Sequence, residues 1–206
     1  SRKQLDLLSN RDTKKFLNKY KPNYIINCAA LVGGINYNYE KPVDFLYKNL
    51  EIQNNIIINS LSLDIKKFIH IGSSCVYPKF SKQPIKEKYL LTGSLEETNE
   101  AYAIAKIAGI KLCQSIKKQY NKNYISVMPT NLYGLNDTYH KNNSHVIPSL
   151  ILKIHDAKIN NKKSVKIWGD GSAKREFLFA EDAAEAILFI MKNYSNIEPI
   201  NIGSGE

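Results

Sequence analysis

The stretch Phe68-Ile-His-Ile-Gly-Ser-Ser-Cys75 joins a short apolar run to a group of small polar residues. An apolar run of this length, bounded by glycine and serine, predicts a buried strand. Ser73 and Cys75 therefore stand where a strand gives way to a loop. In open α/β sheets, ligands bind outside the carboxyl ends of the strands. We expect a sheet of this kind, with a ligand site directly after Gly72.

Strand-like and helical segments alternate on both sides of this run. Further strand-like segments lie at 24–29, 124–128, 165–168 and 199–202, with a short one at 176–179. Helical spacing and good helix formers predict helices at 13–19, 44–63, 102–120, 144–157 and 181–193. Strands that alternate with helices of this length are typical of a parallel sheet with crossover helices. The predicted fold class is therefore α/β.

Composition limits the class of protein. With 206 residues, 43% of them hydrophobic, the chain is long enough to bury a core. No stretch approaches the roughly 20 apolar residues of a membrane span, and the first residues show no secretory signal. The cysteines Cys28, Cys75 and Cys113 lack C-x-x-C spacing, which argues against a disulfide framework and a zinc site. We expect Cys28 and Cys113 in the core of a cytoplasmic protein that carries no metal and does not bind a membrane.

The formal net charge of +10 raises the question of nucleic acid. The lysines are spread through nearly every predicted helix, and neither an aromatic ladder nor a helix-turn-helix pattern accompanies them. We therefore expect no nucleic-acid partner. A positive field also favours a substrate that carries phosphates. Nucleic-acid binding through the basic surface would show itself as a steep salt dependence.

A second motif, Tyr102-Ala-Ile-Ala-Lys106, lies on a predicted helix. At i,i+4 the two side chains share one helix face, so the ammonium would lower the pKa of the phenol and make it a proton donor near neutral pH. Ser73 near that phenol would complete an acid site for a carbonyl group. Taken alone, the pair also fits a solvent-exposed helix face. Its position after the Ser73 strand favours reduction of a keto group.

One part of a dinucleotide site is absent from the sequence. Dinucleotide-binding sheets open with a strand and a glycine-rich turn that brings the pyrophosphate to a helix N-terminus. The residues before Tyr24 contain no glycine, and the first glycines are Gly33 and Gly34. Either the chain binds no dinucleotide, or the first strand, phosphate loop and first helix precede Ser1 in a longer chain.

Six motifs occur in order along nearly the whole chain. They are Val32-Gly-Gly-Ile35, Gly72-Ser-Ser-Cys-Val-Tyr-Pro78, Tyr102-Ala-Ile-Ala-Lys-Ile-Ala-Gly109, Met128-Pro-Thr-Asn-Leu-Tyr-Gly134, Asn143-Ser-His-Val-Ile-Pro148 and Trp168-Gly-Asp-Gly171. In these motifs the chain resembles the extended short-chain dehydrogenase/reductase family, the nucleotide-sugar epimerases and reductases. The resemblance implies a Rossmann-type doubly wound parallel sheet that lacks its first strand and glycine-rich loop, with part of a smaller substrate-binding domain. It implies a partial NADP-binding domain at 1–134 and a mixed segment at 135–206 with substrate-binding elements and a returning strand and helix.

The resemblance also implies catalytic roles. Tyr102 would protonate the C4 oxygen of the sugar as NADPH delivers hydride, Lys106 would hold the nicotinamide ribose and lower the Tyr102 pKa, and Ser73 would bind the ketone. Before reduction, C3 and C5 of a GDP-linked 4-keto-6-deoxymannose would be epimerised, with Cys75 and His145 exchanging the protons. The ketone acidifies both C–H bonds, and thiol and imidazole titrate near enough to neutrality for this exchange. Taken alone, Cys75 would be a small buried residue and His145 a helix-capping one.

Binding residues follow from the same resemblance. The implied cofactor, NADPH/NADP, would contact Ala29, Ala30, Ile71, Gly72, Ser73, Ser74, Tyr102, Lys106, Pro129, Thr130, Asn131, Leu132 and His145. The nucleotide diphosphate and base of a GDP-sugar would contact Lys153, Trp168 and Arg175, with Arg175 as a bidentate phosphate clamp. Trp168 fits a core position equally well.

The family further implies a homodimer formed through helices 44–63 and 102–120. Two alternatives stay open. Another nucleotide-sugar epimerase or dehydratase would share Ser73, Tyr102 and Lys106, but it would not require Cys75 and His145. A non-catalytic nucleotide-sugar-binding fragment would bind NADPH weakly or not at all.

Overall fold

The computed structural model describes residues 4–140, 144–167 and 169–205. Within these ranges the helices are α1 (Asn10–Tyr20), α2 (Ile35–Glu40), α3 (Pro42–Ser60), α4 (Glu100–Tyr120), α5 (Val146–Ile159) and α6 (Ala180–Asn193). The strands are β1 (Tyr24–Asn27), β2 (Lys67–Ile71), β3 (Tyr124–Pro129), β4 (Asn131–Tyr133), β5 (Phe177–Phe179) and β6 (Ile200–Ile202). Three short 3-10 turns lie between β2 and α4, at Ser74–Val76, Glu87–Tyr89 and Glu97–Asn99.

Four parallel strands form the main sheet, in the order β1-β2-β3-β6. Because all of them run in one direction, their carboxyl ends meet at one edge of the sheet. The register places Asn27, His70 and Ser126 in one row across β1, β2 and β3. Strands β4 and β5 form a separate parallel pair. The predicted α/β class with a parallel sheet is confirmed.

Helices cover both faces of the main sheet. Phe68 of β2 packs in a cluster with Cys113 of α4, and Ile69, its neighbour on β2, packs with Ile187 of α6. Successive strand residues point to opposite faces, so Phe68 and His70 face α3 and α4. This arrangement, with helices on both sides of a parallel sheet, is the doubly wound layout that the resemblance implies.

Helix α4 connects β2 to β3 and carries the Tyr102 motif in its first two turns. It begins with Glu100, an acidic residue in the first turn, where the helix dipole favours negative charge. It ends where Asn121 adopts a left-handed conformation (φ 51°) and its backbone N–H donates to Lys117 O, a helix end that asparagine tolerates. Its buried face packs against α3 and β3, which fixes Tyr102 and Lys106 over the sheet edge.

Several details differ from the sequence predictions, among them strand β4, which lies where no strand was predicted. Residues 165–167 form no strand, and Trp168 lies outside the described residues. Helix α2 was not predicted, because its six residues, Ile-Asn-Tyr-Asn-Tyr-Glu, are too few and too polar to show a helical apolar period. The N-cap of α5 is His145, one residue later than Ser144, so the helix begins at Val146. None of the helices in the described ranges combines the length and apolar character needed to cross a membrane.

Candidate active site

The segment after β2 carries Ser73 and Cys75. Ser73 is extended (φ −164°, ψ 153°) and precedes the 3-10 turn, and its Oγ accepts a hydrogen bond from the backbone N–H of Cys75 at 3.5 Å. Gly72 permits this exit because it lies against β3. Its N–H donates to Val127 O at 2.7 Å, and a methyl group on Gly72 would lie 3.2 Å from that oxygen. Ser73 and Cys75 are thereby held at the carboxyl end of β2.

Tyr102 and Lys106 lie above the same strand end. The Lys106 side chain is buried, and its Nζ donates to Ile71 O at 2.8 Å. The same Nζ lies 5.7 Å from the centroid of the Tyr102 ring. The Tyr102 ring also meets Phe45 of α3 edge to face, with centroids 6.2 Å apart. The side chains of Tyr102 and Lys106 therefore share one face of α4, and α3 packs against that face.

Burial dominates the ionisation of this group. It raises the pKa of Tyr102, and the negative charge of a Cys75 thiolate adds to that rise. The predicted lowering of the Tyr102 pKa by Lys106 is therefore wrong for this structure. Burial lowers the pKa of Lys106 to about 8, against a smaller opposing effect of the Cys75 and Cys28 thiolates. Burial raises the pKa of Cys75 to about 11, against the Ser73 hydrogen bond and the Lys106 charge.

Lys106 Nζ lies over the Tyr102 ring, the Cys75 backbone N–H donates to Ser73 Oγ, and the Cys75 charge influences the pKa of both Tyr102 and Lys106, so these four residues form one group at the end of β2. At neutral pH the phenol and the thiol are protonated and the lysine is mainly charged. Ile71 O is the one acceptor found for the Lys106 ammonium among the described residues. A buried ammonium has three donors, so this arrangement can bind a further oxygen-bearing group and can supply a proton from the phenol.

The predicted cofactor contacts are spread along the carboxyl edge of the sheet. Ala29 and Ala30 are half-buried beyond β1. Pro129 ends β3, and the Thr130 N–H donates to Ile202 O of β6 at 3.0 Å. The remaining predicted contacts lie beside these: Ile71, Gly72 and Ser74 at the end of β2, and Asn131 and Leu132 in β4. The strand ends thus bring most of the predicted cofactor residues to one edge, as parallel sheets do.

Other predicted residues are not joined to this group by any described contact. His145 precedes α5 with an exposed side chain that makes no capping hydrogen bond. Lys153 is half-buried on α5, and Arg175 is exposed before β5, where its Nη1 donates to Lys174 O at 2.7 Å. Trp168 lies outside the described residues. Among the described residues, no group of His, Cys, Asp and Glu side chains is arranged to hold a metal ion.

Cys28, which lies near Lys106, was not predicted as part of the site. The prediction that Cys28 lies in the core is wrong, because Cys28 is exposed, whereas Cys113 is buried as expected. The charge of the Cys28 thiolate influences the pKa of Lys106. A usable signal was present, since Cys28 directly precedes Ala29 and Ala30 at a strand end.

Comparison with known proteins agrees with this geometry. Residues 1–203 match the model of the NAD dependent epimerase/dehydratase family. The chain is 53% identical to GDP-L-fucose synthase of Sinorhizobium fredii over 99% of its length, and 46% identical to GDP-L-fucose synthase of Escherichia coli over its whole length. It spans 65% and 67% of those relatives, respectively.

A solved structure gives the same picture. A GDP-L-fucose synthetase from Naegleria fowleri, bound to NADP, superimposes with a TM-score of 0.87 at 34% identity. The match covers 98% of this chain and 66% of that one. With its parallel sheet, its Tyr102 and Lys106 pair and these similarities, the chain belongs to the NAD dependent epimerase/dehydratase family.

Proposed function

We propose that this protein converts GDP-4-keto-6-deoxy-D-mannose to GDP-L-fucose, by epimerisation at C3 and C5 followed by NADPH-dependent reduction at C4. The observation that carries the proposal is the group formed by Ser73, Cys75, Tyr102 and Lys106 at the carboxyl end of β2. The reducing part alone would fit many nucleotide-sugar enzymes. The thiol within the same group supports the epimerising step, and the relatives named GDP-L-fucose synthase support the substrate.

The residues present fit the nicotinamide end of NADPH. Lys106 has donors beyond its bond to Ile71 O and would bind the nicotinamide ribose. Ala29 and Ala30 have small side chains at the end of β1, which lets a flat group approach the sheet edge. The remaining predicted contacts, from Ile71 to Ser74, from Pro129 to Leu132 and at His145, would complete this end of the site. When bound, NADPH supplies the hydride for C4.

Tyr102 is the proton donor in the proposed reduction. Because burial raises the pKa of Tyr102, its phenol stays protonated at neutral pH. The alkoxide formed at C4 is a stronger base than a phenolate, so it takes the phenol proton. The Lys106 ammonium stabilises the resulting phenolate, and the Ser73 hydroxyl donates to the C4 oxygen. Both contacts are worth more in this buried site than they would be in water.

Cys75 and His145 are the proposed proton carriers at C3 and C5. The C4 ketone acidifies both C–H bonds, and Ser73 and Tyr102 stabilise the enolate oxygen. With a pKa of about 11, the Cys75 thiol is mostly protonated in this structure, and the Lys106 charge and the Ser73 hydrogen bond favour its thiolate. An imidazole on the opposite side of the sugar ring would carry the second proton. His145 would reach that position only when α5 and the sugar are brought together.

The nucleotide half of the substrate is assigned to the other segment. Lys153 and Arg175 are the proposed contacts to the diphosphate, where the planar guanidinium can bind two phosphate oxygens at once. Trp168 is the proposed contact to the base. The net charge of +10 favours the approach of such an anion.

We also propose that the protein is a homodimer formed through α3 and α4. Val43, Tyr47 and Ile58 follow one face of α3 and are exposed, as is Ile104 of α4. Neighbouring apolar side chains on two adjacent helices favour burial against another copy. Tyr47→Glu should give a monomer in light scattering, whereas Phe189→Glu on exposed α6 should leave the dimer intact.

The three unpaired cysteines agree with a reducing compartment, and we assign the protein to the cytoplasm.

The decisive experiment follows reduction and epimerisation separately. The complete gene product is incubated with GDP-4-keto-6-deoxymannose and NADPH in deuterated water, and NADPH absorbance and deuterium at C3 and C5 are recorded. We expect NADPH oxidation with label at both carbons. Oxidation without label would instead indicate a plain 4-ketoreductase. If neither signal is observed, the protein binds nucleotide sugars without catalytic activity.

Variants assign the two steps to residues. Cys75→Ser and His145→Asn should suppress labelling by about 10²-fold or more, the typical effect of losing a proton-transfer group. Tyr102→Phe should suppress NADPH oxidation more strongly than labelling. Cys28→Ser is the matched control, because Cys28 also lies near Lys106 but has no assigned role, and both signals should persist. Equal loss of labelling in Cys28→Ser and Cys75→Ser would contradict the assignment of Cys75.

A further inference from the structure

A buried histidine lies directly beneath the helix that carries Tyr102 and Lys106. His70 is in the middle of β2, fully buried, on the face covered by α3 and α4. Neither of its ring nitrogens has a hydrogen-bond partner among the described residues. A neutral imidazole carries one N–H donor and one acceptor, and leaving both unpaired in a protein interior is costly. We therefore look for a hydrogen-bond partner of the His70 imidazole among the side chains that surround it.

Gly109 of α4 leaves space for that partner. A methyl group on Gly109 would lie 2.5 Å from His70 Nε2 and 2.7 Å from Gln53 Oε1. The missing side chain therefore creates a notch that an imidazole from β2 and an amide from α3 both face. Any residue larger than glycine would fill this notch and push the two groups apart.

Gln53 continues the connection into α4. It is buried on α3, and its Nε2 donates to Ala105 O at 2.7 Å. The next residue, Lys106, donates from Nζ to Ile71 O at 2.8 Å, and Ile71 directly follows His70 in β2. Two hydrogen bonds thus connect α3 to α4 and α4 back to β2, while His70 and Gln53 face each other across the notch without a hydrogen bond. Burial and the nearby Lys106 charge lower the pKa of His70, which keeps the imidazole neutral.

We propose that His70 and Gln53 are positioning residues for Lys106. A small approach of the two groups across the notch at Gly109 would let the imidazole N–H of His70 donate to Gln53 Oε1, and this bond would orient the amide whose Nε2 holds Ala105 O. This pair sets the depth of α4 over the sheet and the place of the Lys106 ammonium at the strand end. The inference deepens the proposed function, because it explains how the lysine of the reducing step is held.

The pair should matter for the rate rather than for substrate binding. Without the imidazole donor, Gln53 is free to rotate and Ala105 loses its fixed partner, so Lys106 shifts. A misplacement of about 1 Å costs on the order of 10²-fold in rate. We therefore expect His70→Phe and Gln53→Leu to lower kcat for reduction by about 10-fold to 10²-fold, with KM for the GDP-sugar changed less than about twofold. His70→Gln, whose amide N–H replaces the Nε2 donor, should recover most of the rate.

The test compares these variants with a matched control on the same helix. Asn55 is also a buried amide of α3, and its Nδ2 donates to Leu7 O at 2.9 Å, away from α4. Kinetics, thermal unfolding and acetic anhydride labelling of Lys106, followed by mass spectrometry over a range of pH, are measured on the complete gene product. We expect Lys106 labelling to rise several-fold in His70→Phe and Gln53→Leu and to stay unchanged in Asn55→Leu. The double variant should lose little more than either single variant, because both act through one contact.

The labelling does not depend on activity, so it separates this inference from the proposed function. If the wild type reduces no GDP-sugar but Lys106 labelling changes as expected, the positioning role stands and the proposed function fails. Unchanged labelling in both His70→Phe and Gln53→Leu would overturn the inference, as would an equal change in Asn55→Leu. If His70→Phe does not fold, Gln53→Leu and His70→Gln decide the outcome, with labelling raised in the first and not in the second.

Discussion

Each end of β2 holds a buried lysine, and the two lysines have different surroundings. Lys67, at the amino end, is 5% exposed and donates to three backbone oxygens at the end of α6: Ile190 O at 3.4 Å, Tyr194 O at 2.9 Å and Met191 O. Lys106, over the carboxyl end, is 3% exposed and donates to Ile71 O. Burial lowers the pKa of both side chains.

The difference shows how burial of one residue type serves structure at one end and chemistry at the other. An ammonium has three donors, and the carbonyls that end α6 satisfy all three at Lys67. That contact also places positive charge at the negative end of the helix dipole. Lys106 has one acceptor among the described residues, so its remaining donors are available to a ligand. The parallel sheet puts the unsatisfied lysine at the edge where ligands bind.

The largest expected effect comes from removing the lysine at the carboxyl end. Lys106→Met should lower the rate of NADPH-dependent reduction by about 10³-fold, because it removes the charge beside the phenol and the donor to the ribose. It should also weaken NADPH binding, measured by fluorescence titration. Lys67→Met makes the same substitution at the other end of β2 and serves as the control. The kcat of this variant should stay within about twofold of the wild type. Equal losses of rate in both variants would erase the distinction between the two ends.

The carboxyl end could be predicted from sequence because its signals are local. Ser73 and Cys75 directly follow the apolar run, and Tyr102 and Lys106 share a helix face through i,i+4 spacing. The direction of the Tyr102 pKa was predicted wrongly, because spacing reveals the nearby ammonium but not how far burial outweighs it. The exposed position of Cys28 was missed because composition alone favours a buried cysteine.

The amino end could not be predicted, because its contacts join residues far apart in the chain. Nothing near Lys67 in the sequence indicates that α6 ends against it, since that contact depends on the order of strands in the sheet. The same limit applies to His70 and Gln53, which meet only when α3 and α4 pack on β2. The main strands were predicted because burial on both faces gives continuous apolar runs, and the long helices were predicted from the helical spacing of their apolar residues. The expected strand at 165–168 rested on three apolar residues interrupted by Lys166, and residues 165–167 form no strand.

The next effect concerns stability and follows from the lowered pKa of Lys106. Folding shifts this pKa from 10.5 to about 8, so between these values the unfolded chain binds more protons and the contribution of Lys106 to stability rises with pH. Below about pH 8 the charged lysine costs the fold about 3 kcal/mol. We expect the stability of Lys106→Met relative to the wild type to fall by about that amount between about pH 7 and pH 10. Urea unfolding of both proteins at each pH measures it.

Using the difference between two proteins removes the contributions of groups that Lys106 does not influence; the Cys75 pKa depends partly on the Lys106 charge, so the contribution of Cys75 cancels only in part. Cys75 and Tyr102 have raised pKa values and oppose the trend in both proteins as the pH rises. If the difference in free energy of unfolding does not change with pH, burial does not lower the pKa of Lys106. Lys106 would then not be a buried cation with unsatisfied donors, which is what distinguishes it from Lys67.

A smaller effect is expected at the amino end. Lys67→Met should reduce the free energy of unfolding by about 1–3 kcal/mol, because the carbonyls at the end of α6 lose a charged donor. Hydrogen exchange should show faster opening at Tyr194 than at Tyr124. Lys122→Met is a useful comparison, since Lys122 also donates to two carbonyls, Leu61 O and Leu63 O, neither of which belongs to α6. Unchanged stability in Lys67→Met would show that its three contacts do not support the fold.

The smallest effect tests a cation that is exposed rather than buried. Arg175 has an exposed side chain before β5, and its Nη1 donates to Lys174 O. If it clamps the diphosphate, Arg175→Lys keeps the charge but loses the bidentate contact. KM for the GDP-sugar should then rise about tenfold, equal to about 1.4 kcal/mol, with kcat within about twofold. Lys174→Gln changes the charge of the neighbouring residue and should raise KM less than about threefold. Equal effects would mean that this segment contributes only a general positive field, and that selection of the nucleotide depends on other residues.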